Sequence, residues 1–224
     1  MGEEVTDKGA YTIDQIEHLD DVQHIRQRVS MYLGTVYEPG LFKLDCEPIQ
    51  NVLDEHAEGY GNQCNVTLDS SKNLMIVEDF ARGIPAPALK MILSKIHTGG
   101  KFNNKIYKYH AGSNSVGCSV LKALSRWLKI EVYNDSFMYK GKLEPARHAW
   151  IEAVDGYIVN DFLEDLPNGI PAGKHSGTTV SYIADERVLK TTTHDVKRLC
   201  DQMNNLSYSN QGLKFVFNHD GIVD

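Results

Sequence analysis

Runs of β-forming residues follow one another in neighbouring pairs along this chain, with only occasional helical patterns between them. Residues 64–68 and 74–78 flank a polar turn and predict an antiparallel hairpin. Further strands are predicted over residues 128–133, 149–153, 157–162, 178–183 and 213–218. Because strands that are close in sequence pair antiparallel through short turns, we expect an α+β fold, a two-layer sandwich with a mixed, mostly antiparallel sheet and helices on one face.

Two helical patterns precede the first hairpin. The opening segment up to Arg28 predicts a short helix or a pair of turns. A second helix is predicted over residues 46–57. Because proline is tolerated only in the first turn of a helix, Pro48 places the start of this helix near Asp45 or Cys46.

Three more helices are predicted after the hairpin, over residues 87–93, 116–124 and 193–204. Residues 94–115 are rich in glycine and polar residues and have no clear periodicity. A stretch of this length without a periodic pattern favours a mobile functional loop over a core element.

Charge and composition limit the classes of partner. The chain of 224 residues has 23 Lys and Arg against 30 Asp and Glu, a net charge of −7, so any contact with DNA is expected to be indirect. No apolar stretch approaches the roughly 20 residues of a membrane helix, and the acidic start does not resemble a signal peptide. We therefore expect a cytoplasmic protein without a membrane partner.

Standard catalytic motifs do not occur, since the sequence contains no GxxxxGK[ST], HExxH or GxSxG pattern. The second predicted helix instead places Glu47, Asn51, Asp54 and Glu55 along one side over two turns. This stripe is either a solvated acidic face or a site in which a carboxylate polarises a water and a carboxamide holds hydrated Mg²⁺.

Two further segments have chemistry that would complete such a site. In residues 77–85 an apolar strand ends at Asp79 before a glycine turn, so the carboxylate can accept a hydrogen bond from an exocyclic amine, as in adenine; an ordinary charged turn is the alternative. Residues 99–102 and 112–117 bring glycines and Lys101 to the start of a helix, a composition that favours contact with phosphate.

The order of these segments resembles the ATPase domain of type II DNA topoisomerases, a group of GHKL ATPases that includes gyrase B, its topoisomerase IV counterpart and phage homologues. The likeness runs from residue 16 to residue 216 through "RQRVSMYLG", "EPIQNVLDE", "EDFARGIP", "IHTGGKF", "YKYHAGSNSVGCSV" and "SGTTVSY". It implies a Bergerat-type fold in which residues 1–224 form a single N-terminal ATPase domain. Residues 1–11 would be a flexible arm, with the transducer and later domains absent.

The resemblance also implies roles for individual residues. Glu47 would be the general base that activates the attacking water, and Asn51 would ligate Mg²⁺. Asp79 would bind the adenine amine, with Thr178 supporting it through a water. The adenine motif has Phe80 where the family usually has a polar residue.

The turn after Asp79 is expected to complete the base pocket. Gly83 would let the base approach closely, beside Ile84 and Pro85. Arg82 is similar to the family arginine that pairs with the second glutamate of the helix, here Glu55. The lid over the phosphates, with a tyrosine near it, would comprise Lys101, Tyr107, Gly112, Ser113, Asn114, Ser115, Val116 and Gly117.

The implied function is that of an ATP-hydrolysing type II topoisomerase, with ATP and Mg²⁺ as cofactors. Nucleotide binding would close a homodimer through the arm around residues 11–16, and a DNA-cleaving subunit or domain would act on the DNA. Two alternatives stay open. The chain could be a nucleotide-binding regulatory or decoy module of gyrase B type without turnover, or another GHKL ATPase of mismatch-repair or chaperone type.

Overall fold

The computed structural model describes residues 19–94 and 117–223. Its helices are α1 (Asp21–Gln27), α2 (Val29–Leu33), α3 (Glu38–Ala57), α4 (Leu89–Ser94), α5 (Gly117–Ala123) and α6 (Val196–Ser209), and one 3₁₀ turn, Ala86–Ala88, precedes α4. Its strands are β1 (Gln63–Asp69), β2 (Leu74–Asp79), β3 (Ser125–Asn134), β4 (Phe137–Tyr139), β5 (Lys142–Glu144), β6 (Ala146–Val154), β7 (Tyr157–Leu166), β8 (Gly177–Ala184), β9 (Lys214–His219) and β10 (Ile222–Val223).

Eight of these strands form one sheet in the order β10-β9-β1-β2-β8-β3-β6-β7, and β4 pairs with β5 alone. The β1 and β9 strands are parallel, whereas the other neighbouring pairs are antiparallel. The predicted mixed, mostly antiparallel sheet is therefore confirmed. The predicted strands are all present, each within a few residues of its expected bounds.

One face of the sheet is buried and the other is partly open. Burial alternates residue by residue along β1, β2 and β8, as expected where a single face packs on a core. A row of buried aliphatic side chains crosses five strands in register: Val66, Val77, Val180, Ile130 and Ile151. Helix α3 packs against β2 and α5 against β3, so helices form the second layer of the sandwich.

Helix α3 begins earlier than the sequence pattern predicts. It spans 20 residues from Glu38, with Pro39 in its first turn and Pro48 in its interior. The prediction of a start near Asp45 or Cys46 was therefore wrong. An interior proline costs about 3 kcal/mol, but the helix buries several large aliphatic side chains, each stabilising it by about 1.5–3 kcal/mol, so burial outweighs the missing hydrogen bond.

The opening segment forms α1, which has a capping box: the Asp20 carboxylate accepts from the Gln23 amide and the Gln23 side chain accepts from the Asp20 amide. Val22 and Ile25 face the core as the helical spacing indicates. The part of this segment before residue 19 lies outside the described residues, as does the predicted loop after Ser94. The β4–β5 hairpin was not predicted, because its three-residue strands are too short to show a period.

Candidate functional site

Helix α3 presents Glu47 and Asn51, one turn apart, towards the start of α5. A Cβ atom added at Gly117 would overlap the carboxylate of Glu47, so only glycine allows this approach. The Asn51 carboxamide donates to Sγ of Cys118 at 3.7 Å. The predicted water-activating stripe and the last residue of the predicted phosphate loop are therefore neighbours in the fold.

One further turn along α3, Glu55 contacts the turn that follows β2. Arg82 donates from Nε and Nη2 to the two Glu55 carboxylate oxygens at 2.9 and 3.1 Å. The guanidinium also lies over the ring of Tyr60, 3.8 Å from the centroid. This two-point ion pair is the arrangement that the resemblance to GHKL ATPases implies, and it fixes the turn against the helix.

Asp79 ends β2 with its side chain on the buried face of the sheet, where the residue is only 6% exposed. Its Oδ1 atom accepts from the backbone amides of Ala81 at 2.9 Å and Thr178 at 3.1 Å. Both of these bonds go to one oxygen, which leaves Oδ2 to accept from a ligand. The Thr178 amide contacts Asp79 directly, whereas a water-mediated contact was expected.

Burial raises the pKa of Asp79 to about 6. The two backbone amides act in the opposite direction, and the nearby charge of Glu55 raises the value further. The carboxylate is still mostly ionised at neutral pH, but the fold holds it there at a cost. A buried, ionised acceptor in an apolar wall is suited to a donor such as an exocyclic amine.

The turn after Asp79 lies against the ends of β8 and β3. Gly83 has φ +72°, and a Cβ atom there would lie 2.8 Å from the Gly177 carbonyl oxygen and 2.9 Å from Nδ2 of Asn134. The amide of Ile84 donates to Oγ1 of Thr178 at 3.2 Å. Pro85, Ile84 and Gly83 thus occupy the expected wall beside the carboxylate.

Asn134, the last residue of β3, belongs to this site but was not predicted. Its side chain donates to the carbonyls of Arg82 and Ile84 and accepts from the amide of Ala86. The only sequence signal was a polar residue closing a β run, which is a common feature of turns. Its role depends on a contact between residues about 50 positions apart, and no local pattern reports such a contact.

Part of the predicted site lies outside the described residues, and its roles stay predictions. These residues are Lys101, Tyr107, Gly112, Ser113, Asn114, Ser115 and Val116. Within residues 19–94 and 117–223, no cluster of three or more His, Cys, Asp or Glu side chains is arranged to hold a metal ion. That finding fits Mg²⁺ held with a nucleotide, because this ion takes one or two protein oxygens and completes its shell with phosphates and waters.

In the same described ranges, no helix combines the length and the apolar character needed to cross a membrane.

Comparison with known proteins finds no matching family model but several similar proteins. The chain is 33% identical to the B chain of a type 2 topoisomerase from Aquifex aeolicus over 92% of its length, 32% to the GyrB-type chain of DNA gyrase from Archaeoglobus fulgidus over 92%, and 30% to the B chain of DNA topoisomerase 4 from Enterococcus faecalis over 91%. It spans 25%, 32% and 29% of these relatives.

Among solved structures, the chain is similar to the 43K ATPase domain of Thermus thermophilus gyrase B, crystallised with an aminocoumarin. The TM-score is 0.72 at 25% identity, over 91% of this chain and 50% of that one. Sequence and fold therefore agree. The chain is a homologue of gyrase B and its topoisomerase IV counterpart, with the fold of the gyrase B ATPase domain.

Proposed function

We propose that this chain, as a single ATPase domain over residues 1–224, binds Mg·ATP and hydrolyses it for a type II DNA topoisomerase. The observation that carries the proposal is the course of α3 along the site. Its Glu47 carboxylate lies against Gly117 at the end of the predicted phosphate loop, and its Glu55 carboxylate pairs with Arg82 beside Asp79. One helix thus joins a purine-binding end to a phosphate-binding end.

At the purine end, Asp79 is the hydrogen-bond acceptor for the exocyclic amine of adenine. The Ala81 and Thr178 amides hold its Oδ1 atom, so Oδ2 faces the base without rotation of the carboxylate. Gly83 allows the base to lie close to the backbone, because any side chain there would meet polar atoms at under 3 Å. Ile84 and Pro85 supply apolar contact.

At the phosphate end, Glu47 is the general base that takes a proton from the attacking water. Its carboxylate is half-exposed and adjoins the first residue of α5, where the terminal phosphate would lie. Asn51 would hold Mg²⁺ through its carboxamide oxygen; bound Mg²⁺ neutralises charge on the phosphates. Lys101, Tyr107 and residues 112–117 would cover the phosphates, as the resemblance implies.

The wider activity of the relatives extends the proposal to the whole assembly. ATP binding would close two copies into a homodimer through the arm around residues 11–16, and the movement would drive DNA strand passage with a DNA-cleaving subunit or domain. The net charge of −7 supports a DNA contact made elsewhere in the assembly.

Turnover and binding can be separated with two variants on α3. Glu47→Gln removes the proposed base with little change in shape, and Glu38→Gln is the matched control, an exposed carboxylate of the same helix that pairs with Arg198. We expect Glu47→Gln to retain binding of the non-hydrolysable analogue ADPNP in calorimetric titration and to lose phosphate release. Glu38→Gln should retain both.

The result also distinguishes the two classes of function. Phosphate release by Glu47→Gln at the wild-type rate would remove Glu47 from the mechanism. Analogue binding by the wild type without any phosphate release would instead identify a regulatory module, and the absence of binding would refute the ATP site.

A further inference from the structure

Asn134 makes three hydrogen bonds to the backbone of one short turn. Its Nδ2 atom donates to the carbonyl oxygens of Arg82 at 2.9 Å and Ile84 at 3.1 Å, and its Oδ1 atom accepts from the amide of Ala86 at 2.7 Å. The residue is only 8% exposed. A single side chain therefore binds alternate peptide groups over residues 82–86.

Only a carboxamide has this set of hydrogen-bonding groups in so small a side chain. Its NH₂ group supplies two donors, one for each carbonyl, and its oxygen supplies the acceptor. An aspartate would keep the acceptor but would direct an oxygen at two carbonyl oxygens. An alanine would leave two carbonyls and one amide of a largely buried turn without these partners.

The turn itself has little local structure that would fix its position. Gly83 takes a left-handed φ of +72°, and the nearest atoms to its absent Cβ include Nδ2 of Asn134 at 2.9 Å. The Ile84 amide is held from β8 by Thr178, and Arg82 is held from α3 by Glu55. Asn134 supplies the contacts from β3, and these are the most numerous made by any one of the three side chains to the turn's backbone.

We propose that Asn134 is a positioning residue for the purine pocket. By fixing residues 82–86 relative to Asp79, it sets how closely a base can lie between the turn and the carboxylate. Asn134 acts through the turn and determines nucleotide affinity and base selectivity. This inference rests on the proposed ATP site and deepens it.

A purely structural role would give different measurements. A buried, hydrogen-bonded amide stabilises the fold whether or not a nucleotide binds, so a loss of thermal stability alone does not distinguish the two roles. Positioning of the base changes the Kd for the nucleotide and the preference for adenine. It leaves kcat at saturating ATP nearly unchanged, because Glu47 lies on α3, two turns of helix from Glu55 at the purine end.

The test compares Asn134→Ala and Asn134→Asp with the matched control Asn65→Ala. Asn65 is a half-buried amide on β1 that donates to Oε2 of Glu78 and does not contact the turn. Calorimetric titration measures the Kd for Mg·ADPNP and for its guanine counterpart, steady-state assays give KM and kcat for ATP, and thermal unfolding checks the fold. If Asn134→Ala does not fold, Asn134→Ser, which keeps one hydroxyl, takes its place with the same expectation.

We expect Asn134→Ala to raise the Kd for ADPNP by roughly 10- to 100-fold, as the loss of three hydrogen bonds indicates. The preference for adenine over guanine should fall and KM should rise, with kcat within about threefold of the wild type. Asn134→Asp should bind no better than Asn134→Ala, and Asn65→Ala should bind like the wild type.

Wild-type affinity in Asn134→Ala, or its restoration in Asn134→Asp, would overturn the inference. An equal loss of affinity in Asn65→Ala and Asn134→Ala would also overturn it, since the effect would then follow stability alone. The proposed function is tested separately by Asp79→Ala in the same titration. If Asp79→Ala binds as tightly as the wild type, the purine site is wrongly placed and this inference fails with it.

Discussion

Replacement of Asp79 by asparagine should stabilise the nucleotide-free protein while it removes nucleotide binding. The substitution keeps the size and shape of the side chain, and the carboxamide oxygen can still accept from the amides of Ala81 and Thr178. What it removes is the negative charge, in a place where burial raises the pKa of the carboxyl to about 6. The variant therefore isolates the cost of keeping a charge in the purine pocket.

The magnitude follows from the pKa. The carboxyl of Asp79 moves from an ordinary value of 3.8 to about 6 on folding, and each pH unit is equivalent to about 1.4 kcal/mol. Because the folded state binds the proton more tightly than the unfolded state, wild-type stability is greatest below pH 4 and decreases as pH rises through about 6. The charge should therefore cost about 3 kcal/mol at pH 7 and about half of that at pH 5.

Urea unfolding of the wild type and Asp79→Asn between pH 4 and pH 8 measures this cost. The variant should gain stability relative to the wild type as pH rises, up to about 3 kcal/mol at pH 7, and should show almost no advantage at pH 4. Asp161→Asn, which alters an exposed carboxylate that pairs with Lys90, is the control and should show no such trend. A stability difference independent of pH would refute the buried-charge reasoning.

The remaining predictions concern close contacts and one buried ion pair. Gly83→Ala should destabilise the protein by about 1–3 kcal/mol in urea unfolding and weaken ADPNP binding, because its φ of +72° and the neighbouring polar atoms exclude a methyl group; wild-type values for both would contradict this. Gly117→Ala should reduce phosphate release more than ADPNP affinity, since the new methyl group displaces the Glu47 carboxylate; unchanged release would separate Gly117 from the catalytic end. Burial works against ionisation of Asp185, but hydrogen bonds from Arg187 and Arg26 outweigh it and lower the pKa of this carboxyl well below 3.8, so its stabilising effect is present above pH 4 and is lost as pH falls further. Asp185→Asn should therefore lower the urea midpoint at pH 7 and have less effect at pH 3, and an equal effect at both would rule out this linkage.

Much of the sheet could be predicted because its signal is local. Strands such as β1, β2 and β8 alternate buried and half-exposed residues, and a polar turn separates the first two. The start of α3 could not be predicted from the local rule for proline. Whether Pro48 ends a helix depends on how much apolar surface the helix buries against the sheet, and that quantity is set by tertiary packing.

The candidate site divides in the same way. Glu47, Asn51 and Glu55 could be grouped because helical spacing places them on one side, and Asp79 because a strand ends there. Asn134 could not be found, since its three bonds to the turn after β2 join residues about 50 positions apart. The structure brings the described members of the predicted site together, and Asn134 is the additional residue that connects them.

Since Glu47 and Glu55 stand on a single continuous helix, the gap between the two ends of the site has a fixed length. Eight residues at 1.5 Å each give about 12 Å, and the rod cannot stretch or shorten without unwinding. Deletion of one residue between them would shorten the gap by about 1.5 Å and turn one carboxylate by about 100° around the axis. Substitutions on the outer side of α3 can therefore accumulate freely, whereas any change in its residue count between these two glutamates would separate the base from the phosphates it belongs to.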